Sequence, residues 1–296
     1  MLPIPLNNHV KLKIRKMTIP SFFILIVIYN KNPEESSTIV SLANTDDRFK
    51  TNMRCLVCDN SKNELDDTQK RKLDYMLKGL EYQYAYNDGR NKPLSEIYNE
   101  TIKKLRSEEY LIILDDDSVF DSELFGKCSL AISENKDIDL FLPVIYNNDT
   151  VVSPAVLRRF KGHYIKNIKT GRIKCKDITA INSGMIIKAE YLKERFEGYD
   201  ERIKFYFTDN DFMSKYDSTH NELFVLDYRM NHTLNFYMRG ECFEKKKSRF
   251  RDLRRSYLIL MRRKGMWLYL LTQIYLFVYS IKFSIQQRDI RFIFVF

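Results

Sequence analysis

Leu111-Ile112-Ile113-Leu114-Asp115-Asp116-Asp117-Ser118 is the stretch that decides the fold class. Together with Tyr110 it gives five apolar residues in a row, with no alternation between core and water. Such a run fits a strand buried on both faces, as in a parallel sheet covered by helices. The run then breaks into three acids. Carboxylates crowded at a strand end raise one another's pKa, and a divalent cation relieves the repulsion. Hard oxygen ligands suit Mg²⁺ or Mn²⁺ bridging a pyrophosphate. The competing reading is a solvated turn with a helix cap at Asp121; the position after the strongest central strand favours the cation.

Upstream, Ser21 to Tyr29 is another continuous apolar run, and Arg54 to Cys58 reads as a second short strand. Helical patterns separate them: Pro33 to Phe49, Thr68 to Tyr82, and Leu94 to Leu105, where Leu94, Ile97, Tyr98, Ile102 and Leu105 recur at helical spacing. Tyr84 to Tyr86 reads as a short strand. Downstream come a helix over Asp121 to Asn135 and a strand over Asp139 to Tyr146. The alternation predicts an α/β fold, a mostly parallel sheet flanked by helices. Ligands of such sheets bind beyond the carboxyl ends of the strands. Three polar clusters fall at that edge: Tyr29-Asn30, Asp59-Asn60-Ser61 and Asp115 to Asp117. Asn147 to Asp177 is irregular and basic, and reads as a long loop or small excursion over the site. Strands resume at Ala180 to Ile187 and Leu223 to Asp227. The chain divides into a catalytic domain over 20–240 and a C-terminal helical tail over 241–296.

Individual residues at the edge carry two readings each. Asp59 is placed to accept the imide N–H of a uracil or thymine ring, or to form an Asx turn with Asn60 and Ser61. Tyr29 offers a ring to stack on the same base, or is a strand-end aromatic. Thr208-Asp209-Asn210-Asp211-Phe212 follows Phe205-Tyr206-Phe207; a carboxylate among aromatics gains proton affinity and suits a general base, with Asp209 the candidate. Asp211 either orients it or caps the following helix, and the cap is favoured. His232 is a candidate metal ligand or phosphate contact, or a structural histidine. Arg239 and Lys245 to Lys247 are placed to neutralise a leaving nucleoside diphosphate.

The formal charge of +10 is concentrated: 245–264 holds ten Lys/Arg and one acid, Asp252. No zinc finger or nucleic-acid reader motif accompanies it, so lipid or pyrophosphate is expected rather than nucleic acid. Met266 to Ile281 follows without a charge and rich in aromatics, the pattern of an interfacial helix; a core helix docked on the domain is the alternative. The five cysteines are odd in number and scattered, which points to a reducing compartment, and Cys55 and Cys58 read as buried strand residues. No secretory signal is convincing. A cytoplasmic protein at the inner face of the cell membrane is expected.

The order of motifs resembles the family 2 glycosyltransferases. The matching pieces are Ile26 to Asn30 (IVIYN), Val57 to Ser61 (VCDNS), Leu111 to Ser118 (LIILDDDS), Ile181 to Lys188 (INSGMIIK) and Gly198 to Phe212 (GYDERIKFYFTDNDF). They span roughly 20–235 and are similar to bacterial rhamnosyl- and related transferases of surface polysaccharide assembly. The resemblance implies an A-type glycosyltransferase fold and an inverting transfer from a UDP- or dTDP-sugar to a glycan or lipid-linked acceptor, with Mn²⁺ or Mg²⁺ as cofactor. It places Tyr29 and Asp59 on the base, Asp115 on the ribose or donor sugar with Asp116 beside it, and Asp117 on the metal. It makes Asp209 the catalytic base and sets Ser183 and Gly184 along the donor-sugar pocket. Two positions depart from the pattern: Thr208 replaces the acid usual before the base, and Pro93 stands where small residues are common. A nucleotidyltransferase and a non-catalytic nucleotide-sugar-binding subunit are the competing functions.

Overall fold

The computed structural model describes residues 18–158, 161–165, 168–232 and 242–295. Its strands, in chain order, are β1 (Ser21–Ile28), β2 (Met53–Asp59), β3 (Glu81–Tyr86), β4 (Glu109–Asp115), β5 (Ser118–Val119), β6 (Leu140–Asn147), β7 (Thr150–Ser153), β8 (Ala155–Arg158), β9 (Lys161–Tyr164), β10 (Gly171–Lys174), β11 (Ile178–Thr179), β12 (Ile186–Lys188) and β13 (Glu222–His232). The main sheet runs β10-β13-β6-β12-β4-β1-β2-β3, with β5 and β7 attached to β13 and β6. Strands β3, β2, β1 and β4 are mutually parallel, and β13 is parallel to β6. Between these two blocks lies β12, antiparallel to both neighbours.

The double-sided burial read from the sequence is present. On β1, Phe22, Ile24, Ile26 and Ile28 belong to one core and Phe23, Leu25 and Val27 to the other. On β4, Ile112 and Leu114 face the first core, Leu111 and Ile113 the second. Cys55 and Cys58 are buried free thiols of β2 on opposite faces, as odd spacing along a strand requires.

Several elements differ from the sequence reading. The expected helix over Thr68 to Tyr82 is Asp67–Met76, closed near Gly79 (φ +85°), and β3 begins at Glu81. The stretch 147–177 is not irregular throughout: β8 and β9 form a separate three-stranded sheet with β11, which follows directly, and β10 joins the edge of the main sheet. The C-terminal tail is two helices, Phe243–Lys264 and Met266–Gln287, joined at Gly265, whose φ of +133° a side chain would oppose.

Candidate active site

The carboxyl ends of the parallel strands are cross-tied by the polar clusters that follow them. Asn30, in the left-handed region at φ +51°, donates its N–H to Ser61 Oγ (2.7 Å), and its side-chain oxygen accepts from Lys62 N–H (3.1 Å). Asn60 reaches the turn after β3, donating to Asn91 and the Lys92 carbonyl while accepting from Asn87 and Lys92 N–H. Thr38 is fully buried; its hydroxyl donates to the Asp115 carbonyl and accepts from Ser118 N–H at 2.9 Å. These bonds satisfy the backbone where the sheet stops, which fixes the strand-end loops without further secondary structure.

The aspartates of this edge are not equivalent. Val27 pairs with Asp115 and Ile28 with Asp59, so the two acids flank β1 at neighbouring levels. Their side chains nonetheless leave the sheet on opposite faces, because Cys58 and Leu114 belong to different cores. Asp59 is fully buried and accepts from Ser61 N–H (2.9 Å) and the Tyr84 hydroxyl (2.5 Å). The Asx turn with Ser61 is formed, and the Tyr84 hydroxyl bonds the second carboxyl oxygen. Asp116 accepts from Lys31 Nζ (2.6 Å) and Tyr29 N–H (3.3 Å), tying the acidic loop to the end of β1. Tyr29 itself is 44% exposed. Asp115 and Asp117 are half-buried beside it.

Ser183 and Gly184, expected along a donor pocket, have roles inside the fold. Ser183 is fully buried; its hydroxyl accepts from Asp115 N–H (3.1 Å) and lies 2.5 Å from the Ser118 hydroxyl. Gly184 has φ +89°, and a Cβ there would stand 2.6 Å from Met230 Cε and 2.9 Å from Pro143 Cγ. Ser183 thus ties the segment before β12 to the end of β4, and Gly184 lets that segment pass close to β6 and β13.

The neighbouring residue makes the connection that matters. Asn182 donates to the Thr208 hydroxyl at 2.8 Å. Adjacent residues, Asn182 and Ser183, therefore hold the two acidic regions together: one grips Asp115, the other the start of helix Thr208–Thr219, where Asp209 lies in the first turn. Phe207 precedes that helix at φ +68°, in the left-handed region. Asp209 is half-buried, and one carboxylate oxygen accepts from both N–H groups of Asn210, at 2.8 and 2.9 Å. The other oxygen has no hydrogen-bond partner among the described residues. Burial raises the carboxyl's proton affinity above the ordinary aspartate range, against the two Asn210 bonds that lower it.

Tyr98 is near enough to feel the charge of both acids. It is fully buried, and burial, followed by the charges of Asp115 and Asp209, pushes its hydroxyl's pKa well up. Its ring is 5.0 Å from that of Tyr199. The Tyr98 and Tyr199 hydroxyls and the Asn182 side-chain oxygen are buried without hydrogen-bond partners among the described residues. Unsatisfied polar atoms of this kind mark a place where a ligand or water belongs.

Asp211 does not cap its helix. It is fully buried and accepts from Asp200 N–H (2.8 Å), Lys215 (3.0 Å) and Arg263 (2.5 Å). Arg263 also pairs with Asp200. It comes from the last turn of the basic helix, which covers the loop before Asp209. Tyr257 stacks on Phe207 at 4.7 Å, Leu260 and Met261 pack on Ile203, and Asp252 accepts from Tyr206 N–H. Sequence reading missed Asn182, Thr38, Lys31, Tyr98 and Arg263. Only Asn182 lay inside a motif singled out for the site.

His232 ends β13, where its backbone registers with Ser118, one residue past Asp117. Its side chain, like Arg239, lies outside the described residues. No cluster of three His, Cys, Asp or Glu ready for a metal exists among the described residues. A Mg²⁺-type ion shared with a diphosphate takes one or two carboxylates from protein and the rest from phosphate and water. Asp115 and Asp117 fit that oxygen-donor requirement, while Asp116 is already neutralised by Lys31. A cleft of about 790 Å³ lined by Asp137, Cys175, Asp217 and His220 lies at the opposite end of β13, away from these acids.

No curated protein matches the sequence. The first 349 residues of S. aureus TarS share the fold at a TM-score of 0.54 and 18% identity, over 80% of this chain and 70% of that one; the chain covers 39% of TarS in its longer structure. The same part of TarS has been solved with UDP-GlcNAc. The mannosyltransferase PcManGT of Pyrobaculum calidifontis, in complex with GDP-Man and Mn²⁺, aligns at a TM-score of 0.55 and 13% identity, over 91% of this chain and 75% of that one. These likenesses establish an A-type glycosyltransferase fold. The domain described as glycosyl transferase family 2 matches residues 23–196, more than half of the chain, and the chain belongs to that family.

Proposed function

We propose that this chain transfers a sugar from a nucleoside-diphosphate sugar to a glycan hydroxyl with inversion at the anomeric carbon, Asp209 acting as the base. The observation that carries the reading is the pair of bonds from consecutive residues: Ser183 to Asp115 and Asn182 to Thr208. They tie the end of β4, which carries Asp115, to the first turn of the helix that carries Asp209.

Tyr29 offers its exposed ring to the nucleobase, and Asp59 beneath it fixes the 59–61 turn. Asp115 and Asp117 would hold Mn²⁺ or Mg²⁺ with the diphosphate; when bound, that ion offsets the charge of the leaving group. The free oxygen of Asp209 takes the acceptor hydroxyl's proton as the oxygen attacks, while Asn210 keeps the other oxygen fixed. The Tyr98 and Tyr199 hydroxyls supply hydrogen bonds for substrate hydroxyls entering between the acids. A single displacement requires no enzyme nucleophile, which predicts one inversion.

The test is product analysis with UDP- and dTDP-sugars and Mn²⁺. Release of the nucleoside diphosphate, with an anomeric configuration opposite to the donor's by NMR, is the expected result. Pyrophosphate release would identify a nucleotidyltransferase, and donor binding without turnover a binding subunit.

A further inference from the structure

Helix Met266–Gln287 has two unlike faces. Thr272, Leu276, Ser280, Phe283 and Ser284 are buried, and the helix packs along the basic helix, where Phe250 stacks on Tyr279 and Phe283. On the other side Trp267 is 78% exposed, Ile274 63%, Val278 57% and Ile285 73%, with Leu270 and Leu271 between them. Spacings of three, four and seven put these side chains in one stripe along the helix. The helix contains no acid. Exposed basic residues bracket the stripe: Arg262 and Lys264 at its start, Lys282 alongside, Arg288 at its end.

We propose that this stripe docks on an anionic lipid surface, with the helix lying in the headgroup plane. The stripe fits the apolar boundary, and the bracketing cations fit anionic headgroups. Trp267, at one end, is the residue type that settles at such a boundary. The helix is long and apolar enough to cross a bilayer. Crossing would tear its inner face, with Thr272, Ser280 and Ser284, from a helix whose many cations cannot follow into hydrocarbon. A second copy of the chain is a poorer occupant. The stripe is basic at both ends, so parallel and antiparallel pairing alike bring positive ends together.

The docking rests on this surface alone; its consequence for the acceptor rests on the transferase reading. Arg263 sits four residues before Trp267, where the stripe begins, and pairs with Asp200 and with Asp211, which is two residues from Asp209. The lipid-facing helix therefore starts beside the catalytic helix, which favours an acceptor carried on a lipid.

Trp267 is the one tryptophan in the chain, so its emission reports this surface directly. The full chain is mixed with phosphatidylcholine vesicles with or without phosphatidylglycerol, without donor. Blue-shifted emission and co-sedimentation with the anionic vesicles are expected, with binding at least about tenfold weaker to the neutral ones and weakened by salt. Ile274→Glu with Val278→Glu abolishes vesicle binding but leaves the donor-induced rise in Tm unchanged, showing a folded protein. Unshifted emission and no sedimentation with either vesicle would overturn the proposal. So would a shift that follows protein concentration without lipid, the mark of a second copy. Turnover of a soluble acceptor is read separately, so failure of the docking does not count against the transferase.

Discussion

Asp209 holds its charge against surroundings that disfavour it, and Asn210 supplies the two hydrogen bonds that help it do so. In its proposed role as base Asp209 works only when deprotonated, so kcat/KM is expected to rise with pH through its pKa. Asn210→Ala keeps the backbone bond and removes the side-chain one, and losing a bond that stabilises the anion raises that pKa. Asn210→Ala therefore moves the acid limb of the kcat/KM profile to higher pH, read from rates over the acidic range. Tyr98 gives a second test. Its buried hydroxyl has no partner among the described residues, so Tyr98→Phe costs no stability by thermal unfolding yet raises KM, as loss of a substrate hydrogen bond would. At Gly184, Ala meets both a positive φ and Pro143, and about 2–3 kcal/mol of stability is lost in denaturant titration. The aspartates were legible in the sequence because acids after a buried strand are conspicuous. Their division of labour was not, since it depends on which face each leaves and on Lys31 and Tyr84, far away in the chain.

The parallel strands β1, β2 and β4 declared themselves through uninterrupted apolar runs. The antiparallel course of β12 did not, because an apolar segment reads the same in either direction. Nor did the role of the basic helix. Its charge suggested a solvent or lipid face, yet Arg263 turns inward to a buried carboxylate, and Tyr257, Leu260 and Met261 brace the loop before Asp209. Arg263→Ala leaves Asp211 with Lys215 alone for its charge. Because Arg263 is 35% exposed, the loss is put at about 1–2 kcal/mol rather than the full cost of breaking a buried pair. Thermal unfolding measures that loss. A fall in kcat with little change in donor affinity is expected alongside it, because the disturbed element carries the proposed base and not the proposed nucleotide contacts.

Across the molecule, one half of the sheet gathers the loops of β1, β2 and β4, and the other half supplies Asp209 through β12 and the helix Thr208–Thr219. The expected α/β class and the position of the edge followed from the alternation of runs. The closeness of the two acidic regions followed only from Asn182 and Ser183, whose partners lie tens of residues away. Asp209 and Asp117 should then fail differently when neutralised. The most direct measurement is calorimetric binding of the nucleotide-sugar donor, with Mn²⁺, to Asp209→Asn and Asp117→Asn, beside their transfer rates. Asp209→Asn should bind donor as the parent does while transfer falls by about 10²–10⁴-fold; Asp117→Asn should lose metal-dependent donor binding. Transfer by Asp209→Asn at near the parent rate would contradict the account.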